Sequence, residues 1–241
     1  MGEYSDYQDG ETVCEAYVVG VVPGERRPAV LVAHTWAGQS DHERGTADRL
    51  AALGYVGIAI DVYGKGRRGE HGTPTAMATN TALMTPFMQD RAMLRDRLLA
   101  AVAFAKTIDG VDPARIAIIG YCFGGLCALD VARSGTGDVQ GAVSIHGIFP
   151  APAIGEQAKI TTKVLILHGW DDPMAKPDDV VMVAKELTDA GADWQLHGYG
   201  HAMHAFTAPD ANMPERGLQY SESATHRSWQ AMENFLAESL A

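Results

Sequence analysis

The sequence predicts a three-layer α/β architecture, with helices on both faces of a mostly parallel central sheet. Three observations point to it. Short aliphatic runs, Ala29 to Ala33, Val56 to Ile60, Ile116 to Ile119, Gly141 to Ile145 and Val164 to Leu167, are continuously apolar, as strands covered on both faces are. Between several of them lie stretches of helical character, and polar loops rich in reactive side chains follow the strands, where open α/β sheets collect their chemistry.

In chain order, Tyr17 to Val22 reads as an early strand stopped by the turn residues Pro23-Gly24. Ala29 to Ala33 runs into a loop, His34-Thr35-Trp36-Ala37-Gly38, and a polar helix from about Asp41 to Leu53 is closed by Gly54. After Val56 to Ile60 comes Asp61-Val62-Tyr63-Gly64, and from Gly64 to about Pro86 a Gly, Thr, Met and Asn composition with little periodicity predicts a long loop. Loops of that length often act as lids. Gln89 to Lys106, with Leu94, Leu98, Leu99 and Val102 between arginines, is an amphipathic helix. Residues 148 to 162 read as loop, Val180 to Ala190 as helix, Trp194 to His197 as the last strand and Tyr220 to Leu240 as a terminal helix. No internal repeat or boundary interrupts the chain, so one domain over residues 1–241 is expected.

With 241 residues, 46% hydrophobic and 20% charged, the chain can bury one sizeable core. A formal net charge of -11 argues against nucleic acid or an anionic membrane surface as partner. Three cysteines, Cys14, Cys122 and Cys127, do not make a disulfide framework, and the polar N-terminal residues carry no secretory signal. A cytoplasmic protein acting on a small molecule is the expectation. His197, His201 and His204 gather near two aspartates, but without the spacing of a zinc site, so neither metal nor cofactor is expected.

The chemistry centres on Gly120-Tyr121-Cys122-Phe123-Gly124, between a strand and a helix. With serine at its centre, this frame is the nucleophile elbow of α/β-hydrolases. Its glycines allow close backbone approach around a strained residue, and a cysteine there would sit at a helix N-terminus, which favours a thiolate. In that fold an acid and then a histidine follow the nucleophile along the chain. Asp171 and Asp172 follow one later strand, and His201 and His204 follow the last. Either aspartate could serve as a turn or cap residue. By position His204, before Ala205-Phe206, is preferred to His201.

Together, Gly120-Tyr121-Cys122-Phe123-Gly124-Gly125, His168-Gly169-x-x-Asp172-Pro173, His204-Ala205-Phe206 and Asp61-Val62-Tyr63-Gly64 resemble the dienelactone hydrolase family of α/β-hydrolases, from about residue 14 to the C-terminus. The resemblance implies a hydrolase of carboxylic esters or lactones, with Cys122 as nucleophile, Asp172 as orienting acid and His204 as base. The oxyanion donors would be the backbone N–H groups of Phe123 and Trp36. The family's loop reads His-Glu-x-x-Gly and its glutamate interacts with the thiol, whereas Thr35 stands at that position here. The family's substrate-carboxylate arginine, four residues past the histidine, is replaced by Ala208, leaving Arg67, Arg68 and Arg91 as substitutes. Thr35, Trp36, Tyr63, Arg67, Phe123 and Met203 are the expected pocket residues. A non-catalytic or redox-responsive binder on the same scaffold is the alternative, although a Cys122–Cys127 disulfide is geometrically poor and Cys127 reads as helix packing.

Overall fold

The computed structural model describes residues 2–241. An eight-stranded sheet is built from β1 (Glu3–Asp9), β2 (Thr12–Val19), β3 (Arg27–Ala33), β4 (Val56–Ala59), β5 (Val111–Tyr121), β6 (Gly141–Ile145), β7 (Lys163–Gly169) and β8 (Trp194–Tyr199). The order across it is β1-β2-β4-β3-β5-β6-β7-β8. The β1/β2 and β2/β4 pairs are antiparallel and all others parallel. The helices are α1 (Asp41–Ala52), α2 (Ala76–Gln89), α3 (Arg91–Thr107), α4 (Phe123–Arg133), α5 (Pro177–Asp189) and α6 (Glu222–Ser239), and a two-stranded hairpin, β9 (Asn212–Met213) with β10 (Leu218–Gln219), precedes α6. This is the α/β-hydrolase arrangement. Ile116, Ile118, Val164 and Ile166 face the layer of α3, α4 and α5, while Ala117, Ile119, Leu165 and Leu167 face α1 and α6.

Three elements depart from the sequence reading. The acidic N-terminal stretch forms β1, an edge strand that buries only Tyr7 and exposes most of its other side chains, so its composition looks like tail. The early strand covers Thr12–Val19 rather than 17–22, because its register is set by pairing with β1 and β4. The expected long loop contains α2, which includes Pro86 and lacks a side-chain N-cap bond. Tertiary contacts hold it: the Asn80 side chain accepts from Glu70 N–H and donates to Glu70 O, both at 2.9 Å, and the Phe87 ring packs 5.5 Å from that of Tyr63. Such packing overrides a weak local propensity.

Residues 148–158, loop as expected, are fastened from below by a buried ion network. Arg91 makes a two-pronged bond to Asp130, Nε–Oδ2 2.8 Å and Nη2–Oδ1 2.6 Å, and Arg133 bridges Asp130 to Glu186. The Arg133 guanidinium also donates to Phe149 O at 2.9 Å and Pro150 O at 3.3 Å. Burial raises the Asp130 carboxyl pKa even against these two cations, which marks how strongly the site resists charge; the network positions the loop more than it stabilises the fold. Asp130→Ala leaves the Arg91 guanidinium buried without a carboxylate while Arg133 keeps Glu186, and a loss of about 3 kcal/mol in unfolding free energy is expected, read from urea denaturation.

Candidate active site

Cys122 lies between β5 and α4 with φ 56 and ψ −114, at the N-cap of α4. Five non-glycine residues among those described have positive φ, and four of them, Cys122, His146, His201 and Ala205, sit on loops beyond the carboxyl ends of β5, β6 and β8. Strain of this kind persists only where the surroundings enforce it. At the elbow the enforcement is steric: a Cβ on Gly120 would lie 2.0 Å from Gly124 O, and one on Gly124 would lie 2.2 Å from Ala33 O. Cys122 is half-buried, while Cys14 and Cys127 are buried.

The structure separates the two histidines and the two aspartates. His204 Nδ1–H donates to Asp172 Oδ2 at 2.7 Å, with both side chains buried. His201 faces Asp171 at 3.6 Å on the open surface. The second carboxylate oxygen of Asp172 accepts the Met174 N–H at 2.8 Å, which fixes the carboxylate plane. The other nitrogen of His204, Nε2, is buried and bonds to no neighbour, yet Cys122 is near enough to act on the ring. Burial is the largest influence on His204 and disfavours its charged form; the charge of the Cys122 sulfur, the Asp172 hydrogen bond and the contact with Cys122 outweigh it, raising the pKa to about 10.

His204 is held through its backbone. Its N–H donates to Gly217 O at 2.9 Å and its carbonyl accepts the Gln219 N–H at 3.2 Å, a parallel bridge to the hairpin strand at Leu218. The acid loop joins the same assembly, since Asp171 N–H donates to Ala202 O at 2.9 Å. Gly217, at φ 74, approaches Pro173 so closely that a Cβ would lie 2.2 Å from the proline ring. The polar stretch 212–219 therefore clamps the His204 and Asp172 loops together, a role its sequence signals only through Pro214 and Gly217.

On the other side of Cys122, the backbone N–H groups of Phe123 and Trp36 donate to no acceptor among the described residues. The loop carrying Trp36 is tied down around them. Thr35 N–H donates to Glu43 Oε1 at 3.2 Å, and the other Glu43 oxygen caps α1 through Ser40 N–H at 2.8 Å. His34 Nε2 accepts the Val62 N–H at 3.0 Å, so its proton sits on Nδ1 and is donated to Thr35 O at 2.6 Å; burial lowers the His34 pKa and keeps the ring neutral. Tyr63, expected in the pocket, is fully buried and spends its hydroxyl on Trp36 O at 2.9 Å. It supports the loop from beneath and stacks near Phe123, with ring centroids 6.0 Å apart.

Of the three arginines, Arg68 pairs with Asp61 at 3.2 Å and Arg91 with Asp130. Arg67 is exposed and forms no ion pair among the described residues. Sequence reading missed Glu43, His146 and the hairpin. Glu43 was visible as the fourth residue of Ser40-x-x-Glu43, a capping-box spacing, whereas nothing in the sequence singles out His146, whose ring meets that of His204 edge-on at 5.2 Å.

The sequence profile of the dienelactone hydrolase family matches residues 14–240. The chain belongs to that family. Among solved structures, the chain described as m3DLH is 34% identical with a TM-score of 0.91, covering 100% of this chain and 99% of that one. The dienelactone hydrolase-like promiscuous phosphotriesterase P91 from metagenomic libraries is 33% identical with a TM-score of 0.90, over 100% and 99% of the two chains. A protein of Aquifex aeolicus (strain VF5), provisionally named a carboxymethylenebutenolidase, is 26% identical over 233 residues, 94% of this chain and 97% of that one. No helix among the described residues of this family member is long and apolar enough to cross a membrane.

Two outcomes are expected from this geometry. In an NMR titration the His204 ring keeps its charge through neutral pH and loses it near pH 10, and in Cys122→Ala, which removes the sulfur, the midpoint moves down. Gly217→Ala, strained at φ 74 and crowded by Pro173, disturbs the clamp rather than the turn at Cys122. Its catalytic efficiency should fall by roughly tenfold or more, while iodoacetamide still labels Cys122.

Proposed function

We propose that the protein hydrolyses carboxylic esters or lactones through a thioester, with Cys122 as nucleophile, His204 as acid and base, and Asp172 as the group that orients His204. The observation that carries this reading is the buried His204–Asp172 pair, whose outward nitrogen is unspent while its protonation responds to Cys122. The Cys122 thiolate attacks the carbonyl carbon, and the carbonyl π electrons move to oxygen, where the Phe123 and Trp36 N–H groups receive the charge. As the carbonyl re-forms, the C–O bond breaks and the His204 imidazolium gives its proton to the leaving alkoxide. Neutral His204 then takes a proton from water as that water attacks the thioester, releasing the carboxylic acid and restoring the thiolate and the imidazolium. No carboxylate of the oxyanion loop takes part: Thr35 occupies the family's glutamate position, and Glu43 is committed to Thr35 N–H and the α1 cap.

Trp36 and Met203, both half-buried, are the proposed walls of the substrate pocket, with Thr35 beside the thiol. Recognition of a carboxylate on the substrate falls to Arg67, because Arg68 and Arg91 are already paired. A second reading is favoured by the full-length likeness to P91, described as a promiscuous phosphotriesterase: the same thiolate and donors would serve attack on phosphorus.

The test compares wild type with Cys122→Ala on an aryl acetate, a small lactone and an aryl phosphotriester. A fall in kcat/KM of at least about a thousandfold on the first two is expected, and intact-mass analysis of slowly turned-over wild type should show one acyl group on Cys122. Retention of ester activity by Cys122→Ala would remove the assignment. The phosphotriester reading stands only if that activity is lost together with the sulfur.

A further inference from the structure

We propose that a cavity between α1 and α6 is a second ligand site, distinct from the catalytic cleft, that takes a small aromatic carboxylate carrying another oxygen acceptor. The cavity measures about 430 Å³, and its lining includes none of Cys122, Trp36 and His204. Sites for small molecules commonly occupy roughly 300–1,000 Å³. Its lining combines the buried apolar groups of Ile145, Met232 and the Tyr121 ring with polar side chains, and two of those are free to donate hydrogen bonds.

At the mouth the Arg49 guanidinium lies 3.3 Å from the centroid of the Trp229 ring, held flat by cation–π attraction with its N–H edges unspent. Arg49 makes no ion pair among the described residues, and the acids beside it are engaged: Asp41 by Arg44 at 2.5 Å, and Glu233 by the Trp229 indole N–H. An unpaired guanidinium in a chain of net charge -11 is suited to an anion of planar geometry, and a carboxylate matches its fork.

At the lining residue Thr207, His146 Nε2 lies 2.8 Å from Oγ1, while His146 Nδ1 is buried without a partner. A bare ring nitrogen tolerates burial without a partner better than an N–H does, so the proton sits on Nε2 and is donated to Thr207. Burial keeps this ring neutral by lowering its pKa well below the usual range. The hydroxyl proton of Thr207, a lining residue, is thereby left for an acceptor in the cavity.

An independent observation comes from α1. Gly45 stands inside this helix and lines the cavity, and a Cβ there would meet nothing within 4 Å. Glycine is a poor helix residue, and its place here keeps the space clear.

The experiment is calorimetric titration of 4-hydroxybenzoate into protein whose Cys122 has been alkylated with iodoacetamide, the other two cysteines being buried. Saturable binding that survives alkylation is expected, weakened at least tenfold in Arg49→Gln and in Gly45→Leu. It should also be at least tenfold weaker for 4-hydroxybenzyl alcohol, which lacks the charge. Both variants should keep the ester hydrolysis of wild type and a single cooperative melt, Gly45→Leu melting no lower than wild type because leucine is the better helix residue, so a fault in the catalytic assignment does not touch this result. Binding lost on alkylation, binding equal in Arg49→Gln, or no saturable binding up to millimolar ligand would each overturn the proposal.

Discussion

Three backbone segments meet at the elbow at distances that only glycine permits, and the site above depends on that meeting. Gly120 lies against Gly124, and Gly124 lies against the carbonyl of Ala33 at the end of β3. The first contact turns the chain sharply enough to hold Cys122 at φ 56. The second seats the N-terminus of α4 against the start of the His34–Gly38 loop. Packing density at one turn thus couples the conformation of Cys122 to the seating of the His34–Gly38 loop, and neither could be adjusted without the other.

The neighbours of Cys122 are positioned by loops, and each loop is made rigid by hydrogen bonds to its backbone from another segment. The Asp172 loop is bonded to the His204 loop, and the His204 loop to the hairpin that precedes α6. Arg133 holds the carbonyls at Phe149 and Pro150 in the neighbouring segment. Glu43 and Tyr63 do the same for the segment around Trp36. A site built from five separate stretches of chain keeps its geometry this way while its surface-facing residues remain open to ligand.

The sheet was readable because its inner strands are aliphatic on both faces, and the sharp turn at Cys122 was readable because two glycines flank the cysteine between a strand and a small-residue helix. The choice of Asp172 and His204 over Asp171 and His201 was weaker: each pair sits within four residues, and only burial separates the bonded pair from the surface pair. β1 and α2 escaped for opposite reasons. The strand is polar because it is an edge, and the helix is locally poor because Phe87 and Asn80 hold it by tertiary contact. Tyr63 was legible as an aromatic near the site, but its hydroxyl's bond to a main-chain carbonyl has no sequence signature. Arg91 likewise resembles a surface arginine until Asp130, 39 positions away, is brought beneath it.

The electrostatics of His204 give the proposed reaction an order. The sulfur's charge is the first of the influences opposing burial and keeping the ring protonated. Acylation consumes that charge, because a thioester sulfur carries none. What remains is burial, which favours the neutral ring, against the Asp172 hydrogen bond, which favours the charged one. The pKa must therefore fall when the thioester forms, at the step where a base is needed to deprotonate water, and rise again when the thiolate returns. A glutamate beside the thiol, as in the resembled family, would leave part of the opposing field in place after acylation. With Thr35 there instead, the protonation state of His204 follows the bonding state of Cys122 more closely.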